Sequence, residues 1–136
     1  MAAHPRDHDG VAAFRADGPA SFCLHCTSGC AVVVATGEID LYTAPALRES
    51  LIRAGESSSR VVIDLTDVTF LDSTGLGVML GALRRARTAE RSVALVGPTD
   101  MVKRVLQITG LDQVFTTYAR LDEALATRPE TDLQTL

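Results

Sequence analysis

Asp72-Ser73-Thr74 sets a carboxylate and two hydroxyls side by side, and Gly75 and Gly77 follow directly. Such side chains cap helix N-termini, because their oxygens accept the N–H groups that the first helical turn leaves without partners. Capping accounts for one residue of this kind. It requires neither three in a row nor a Gly-x-Gly that allows close backbone approach. A hydroxyl at a helix start sits where the dipole and free backbone N–H groups stabilise an added phosphate. Ser73 and Thr74 are therefore both candidate phosphoacceptors by type and position.

Three other groupings could carry chemistry. Cys23, Cys26 and Cys30, with His25 among them, have the close spacing that can converge thiolates on zinc or iron. No second cysteine pair completes a site, however, and strand alternation would turn Cys23 and Cys26 to opposite faces, so free thiols and no metal are expected. Gly75-x-Gly77-x-x-x-Gly81 has the outline of a dinucleotide fingerprint. Nine to ten residues separate Leu65 from Gly75, and the following strand ends in Val96-Gly97-Pro98 without the acidic residue that would hold a ribose, so no nucleotide cofactor is expected. A catalytic serine would need a nearby base. His4, His8 and His25 all fall in or beside the N-terminal segment, so the chain does not read as an enzyme.

The elements that position these residues follow from turn signals and periodicity. Phe22–Thr27 and Cys30–Thr36 are apolar runs separated by Ser28-Gly29, which closes a hairpin. Thr43 is placed to cap a helix that carries Pro45 in its first turn, buries Leu47, Leu51 and Ala54, and stops at Gly55. Val61–Leu65 predicts a central strand covered on both faces. After the segment 66–72, Leu76, Met79, Leu80 and Leu83 recur at helical spacing, and Arg84, Arg85 and Arg87 complement the negative end of that helix's dipole. Val93–Val96 predicts a strand, Thr99 starts a helix with Val102, Val105 and Leu106 inward and Gly110 beyond its end, and Val114–Tyr118 and Leu121–Ala126 predict a last strand and short helix. A hairpin followed by strand–helix alternation gives an α/β domain with a mixed, mostly parallel sheet and helices packed on it. Residues 1–19 lack apolar periodicity and are expected to form a mobile arm. Residues 20–127 form the single domain, and 128–136 a tail.

Composition narrows the functions. The net charge is −4, and one Lys and 12 Arg are spread along the chain rather than striped, which excludes the basic field of a direct nucleic-acid binder. The longest apolar stretch, Ala31–Ala35, is far short of the roughly 20 residues that span a bilayer, and the N-terminus has no signal-peptide layout, so a cytoplasmic location without a membrane partner is expected.

The run Asp64–Leu80, DLTDVTFLDSTGLGVML, together with Gly37-Glu38-Ile39-Asp40 upstream and Val102-Lys103-Arg104-Val105-Leu106 and Thr109-Gly110-Leu111 downstream, resembles the anti-sigma-factor antagonists of the STAS family. The resemblance extends over about residues 20–127. It implies a STAS domain that binds a serine kinase serving as anti-sigma factor when unphosphorylated, thereby releasing a sigma factor. It further implies that phosphorylation of Ser73, reversed by a serine phosphatase, switches this off. Asp40, Asp72, Ser73, Thr74, Gly75, Leu76 and Gly77 become the expected partner-binding set, with Thr74 the lesser candidate acceptor. The N-terminal segment and the Cys-rich first strand depart from the family. Two rivals remain in view. A STAS module of a transporter or lipid-trafficking complex would keep the fold without the phosphoswitch. A two-component receiver would need an acidic metal-binding pair and a lysine after its last strand, whereas Lys103, the only lysine, lies in a predicted helix.

Overall fold

Ser28 and Gly29 take φ of 52° and 78°, and this left-handed pair closes the hairpin between β2 (Ser21–Thr27) and β3 (Cys30–Ile39), with Thr27 opposite Cys30. Two positive φ values in a two-residue loop match the twist of antiparallel strands. The computed structural model describes Ala12–Arg15 and residues 20–127. From β3 the chain crosses through α1 (Ala44–Ser57) to β4 (Arg60–Leu71), through α2 (Ser73–Thr88) to β5 (Ser92–Val96), and through α3 (Asp100–Thr109) and a 3-10 turn at Leu111–Gln113 to β6 (Thr116–Tyr118). The last helix, α4, covers Leu121–Ala126. With β1 (Ala12–Arg15) on β2, the six strands lie in chain order, antiparallel up to β3 and parallel from β3 onwards. This is the mixed, mostly parallel α/β sheet that the alternation of elements predicts.

Strand alternation sorts the core into two faces. Phe22 and Leu24 of β2, Ala31, Val33 and Ala35 of β3, Ile63 and Leu65 of β4 and Leu95 of β5 meet Leu47 and Leu51 of α1, Leu76, Met79 and Leu83 of α2, and Val102 and Leu106 of α3. On the other face, Cys30, Val32, Val62 and Val96 pack with Ala124, Leu121 and Leu125 of α4. Each fully buried Leu, Ile or Val contributes about 1.5–3 kcal/mol relative to exposure, so a sheet covered on both faces is the main source of stability.

The structure departs from the sequence reading chiefly in four places, besides shifted ends of β3, which runs on to Ile39, and of β6, which begins at Thr116 rather than Val114 because Val114 closes the 3-10 turn. Four residues of the expected arm, Ala12–Arg15, form β1 and cover the edge of β2; edge pairing draws on backbone donors and acceptors and needs no run of periodic apolar residues. The rest of the expected arm and the expected tail at 128–136 lie outside the described residues. β4 continues six residues past Leu65 to Leu71, because Thr36–Ile39 keep pairing with it through two register shifts while Thr66, Asp67 and Thr69 stay exposed and hide the pattern. α1 runs past Gly55 to Ser57, because Gly55 does not take the left-handed φ of a helix-ending glycine and its carbonyl accepts the Arg91 guanidinium. Finally, Thr43 stands at the helix start, but its hydroxyl serves the preceding loop rather than the helix.

Candidate functional site

The carboxyl ends of β3 and β4 place the residues singled out by their chemistry. Asp72 leaves β4 in an extended conformation, and its Oδ1 accepts the N–H groups of Thr74 at 2.9 Å and Gly75 at 3.1 Å. Asp72 is thus the cap of α2, worth about 0.5–2 kcal/mol relative to Ala. Its own N–H donates to the Ile39 carbonyl at 3.2 Å, fastening the start of α2 to the end of β3. Ser73 is the first residue of the helix and is exposed, whereas Thr74 is half-buried. The first hydroxyl is open to solvent without any movement of the helix.

Donor bookkeeping alters the electrostatics expected from the sequence. The N–H groups of Thr74 and Gly75, which an added phosphate would use, are already occupied by the Asp72 carboxylate. A phosphoryl group on Ser73 would stand beside a like charge and be directed outward, towards solvent or a partner.

The two glycines differ. A Cβ on Gly75 would lie 2.5 Å from Ile39 Cγ2 and 2.6 Å from Leu71 Cδ1, so only glycine lets α2 start this close to the ends of β3 and β4. A Cβ on Gly77 would meet nothing within 4 Å. Leu76 is buried in the helix-side core. Of the expected partner-binding set, Asp72, Ser73, Thr74 and Gly77 therefore reach the surface, while Gly75 and Leu76 act through packing.

Asp40 lies in the loop between β3 and α1, joined to the same site through Ile39. Its carboxylate faces inward on its own loop, accepting the N–H of Tyr42 at 2.9 Å and of Thr43 at 3.1 Å. The Thr43 hydroxyl accepts the Asp40 N–H at 2.9 Å and donates to the Glu38 carbonyl at 2.8 Å. Leu41 and Tyr42, which the sequence reading passed over, stand exposed at the tip. Two apolar residues between an aspartate and a helix start were the available signal.

The remaining groupings stay apart from this site. His25 pairs with Val32, which pairs with Val62, nine residues before Leu71; at about 3.3 Å per residue that is roughly 30 Å along the strand. His4 and His8 lie outside the described residues. Cys23 is half-buried, Cys26 exposed and Cys30 buried, and among the described residues no three His, Cys, Asp or Glu side chains are grouped to hold a metal ion. Arg85 and Arg87 end α2 as its dipole predicts, and burial, followed by the neighbouring Arg48, lowers the pKa of Arg85 from its ordinary value. No helix among the described residues is long and apolar enough to cross a membrane.

Comparison with known proteins identifies the family and the fold. The family model of the STAS domain matches residues 21–124. The chain belongs to the STAS domain family. A curated relative, the anti-sigma-B factor antagonist of Listeria monocytogenes, is 40% identical over 60% of this chain and 73% of its own. Among solved structures, an anti-sigma factor antagonist from Mycobacterium paratuberculosis superposes with a TM-score of 0.72 at 33% identity, covering 79% of this chain and 92% of that one. Phosphorylated SpoIIAA of Bacillus superposes with a TM-score of 0.63 at 24% identity over 76% of this chain and 96% of its own, a likeness of fold. In an open sheet with parallel strands, loops at the carboxyl ends of the strands converge on one surface, and the candidate residues lie on those loops.

Proposed function

We propose that this chain is an anti-sigma factor antagonist whose unphosphorylated form binds a serine kinase that doubles as the anti-sigma factor, and that phosphorylation of Ser73 ends the complex. The observation that carries the reading is the exposed Ser73 hydroxyl on the first turn of α2, beside a cap that holds the helix start rigid. The STAS family membership and the antagonist relatives support it.

The chain is the substrate rather than the catalyst. Ser73 Oγ attacks the terminal phosphoryl group of a nucleoside triphosphate held by the partner. The new O–P bond forms as the bond to the diphosphate breaks, and the serine proton passes to a base of the kinase. The product places about −1.5 to −2 charges between the Asp72 carboxylate and the partner's bound diphosphate. Repulsion on both sides weakens the complex, and each ~1.4 kcal/mol of differential affinity is worth tenfold. A serine phosphatase resets the switch. Sigma factors act in the cytoplasm, which is where this function locates the chain.

The test is to incubate the protein with ATP and extract of its host, purify the labelling kinase by activity, and map the phosphoryl group by mass spectrometry. Ser73→Ala is expected to lose all labelling while retaining the partner, Thr74→Ala to keep the label on Ser73, and Ser73→Glu to bind the partner more weakly without unfolding. Labelling that persists in Ser73→Ala would assign the acceptor elsewhere. Wild-type affinity in both Ser73→Glu and the phosphoprotein would overturn the claim that phosphorylation of Ser73 ends the complex.

A further inference from the structure

Four large apolar side chains are exposed among the described residues, and three stand at the Ser73 end of the sheet: Leu41 at 62%, Tyr42 at 77% and Phe70 at 41%; the fourth, Ile108 at 78%, lies on α3. Single exposed apolar residues need no explanation. Leu41 and Tyr42 differ in being adjacent, at the tip of a loop held on all sides. The Asp40 carboxylate takes the Tyr42 and Thr43 N–H groups, the Thr43 hydroxyl ties Asp40 to Glu38, and the Ala44 N–H reaches the Asp40 carbonyl at 2.8 Å. A fixed tip avoids most of the ordering cost that a free loop meets on binding. The loop is also continuous with the acceptor helix through Asp72 N–H on Ile39 and through Gly75 packed on Ile39. The segments that build it carry one sign of charge: Glu38, Asp40, Asp64, Asp67 and Asp72 are acidic, and neither 36–47 nor 61–83 contains a Lys or Arg, while Arg48 follows on α1 and Lys103 of α3 borders Thr66.

We infer that Leu41 and Tyr42 are the anchor by which the serine kinase grips this chain, inserted into an apolar pocket of the kinase that is rimmed by Lys or Arg side chains, and that Asp40 is a positioning residue that shapes the tip. The inference rests on the phosphoswitch reading. A kinase delivering a phosphoryl group to Ser73 covers its surroundings. A standard interface buries about 800 Å² per partner, a disc of roughly 16 Å radius, which takes in a loop that begins one residue after Ile39, the acceptor of the helix cap's N–H. Rigid, exposed Tyr at such a position is the residue type that dominates binding energy in interfaces, and the acidic surround selects a basic rim.

The experiment uses the kinase purified by its labelling of wild-type Ser73, with complex affinity, KM and kcat for labelling, and thermal midpoint measured for each variant. Tyr42→Ala is expected to weaken the complex about 30-fold or more and Leu41→Ala about tenfold, in KM rather than kcat, with the thermal midpoint unchanged. Tyr42→Phe stays within a few fold of wild type, and Ile108→Ala binds as wild type. Asp40→Ala weakens binding, while Asp40→Asn, whose amide oxygen still accepts the two N–H groups, recovers most of it. Wild-type affinity in both Tyr42→Ala and Leu41→Ala, or an equal loss in Ile108→Ala, overturns the anchor. A loss in Asp40→Asn as large as in Asp40→Ala overturns the positioning role. A wild-type chain that no host kinase labels on Ser73 overturns the phosphoswitch reading, and the anchor with it.

Discussion

The two ends of the parallel strands are built on different physics. At the carboxyl end, Asp40 and Asp72 are spent on backbone N–H groups two and three residues away, leaving Leu41, Tyr42 and Ser73 outside. At the amino end, the charged residue Arg60 is 1% exposed; its Nη1 donates to the Ala124 carbonyl and lies 3.7 Å from Cys30 Sγ, and its guanidinium sits 5.9 Å from the Tyr118 ring centroid. One end uses polar groups to hold short loops in place with their outer faces free. The other uses a polar group to join α4 to the sheet. Changes at the amino end should therefore be felt as stability, and changes at the carboxyl end as binding.

The strongest way to break this contrast is Arg60→Ala. It leaves a cavity and removes one of the two donors to the Ala124 carbonyl, the Thr127 N–H remaining at 3.4 Å, so chemical denaturation should show a loss of roughly 2–4 kcal/mol, while the folded fraction is labelled on Ser73 at the wild-type rate. A loss below about 1 kcal/mol, or slow labelling of folded protein, would mean that the ends are not separable in this way.

Gly75→Ala sharpens the contrast, because Gly75 is the carboxyl-end residue that is also core. Overpacking against the branched methyl of Ile39 costs about 1–3 kcal/mol, of which better helix propensity offsets about 1. Unfolding should show net destabilisation, and displacement of Ile39 should also reduce the rate of Ser73 labelling. An effect on stability alone would separate the loop from the helix start. The smallest effect belongs to Gly77→Ala. With nothing within 4 Å of the new methyl, the fold should gain up to about 1 kcal/mol from helix propensity, read as a higher denaturation midpoint. Any destabilisation would contradict the open surroundings of that site.

The fold and part of the site were legible from the chain alone, for a local reason. Ser28-Gly29 specifies the hairpin because the backbone angles of a two-residue turn depend on those two residues, and Asp72 starts α2 because a cap acts on N–H groups two and three residues ahead. The spacings of Leu47 and Leu51, and of Met79 and Leu83, name the buried helix faces in the same way. What only the tertiary structure decided depends on residues brought from elsewhere. Gly75 and Gly77 are alike in sequence and differ because Ile39 and Leu71 press on one of them. β4 outlasts its apolar pattern because β3 keeps pairing with it, and Ala12–Arg15 become a strand because β2 offers an edge. Tyr42 is exposed, and Asp40 turned inward, because the loop closes on its own hydrogen bonds. Exposure is the balance of everything that packs around a residue, and residue type and spacing record only the part of that balance lying within a few positions along the chain.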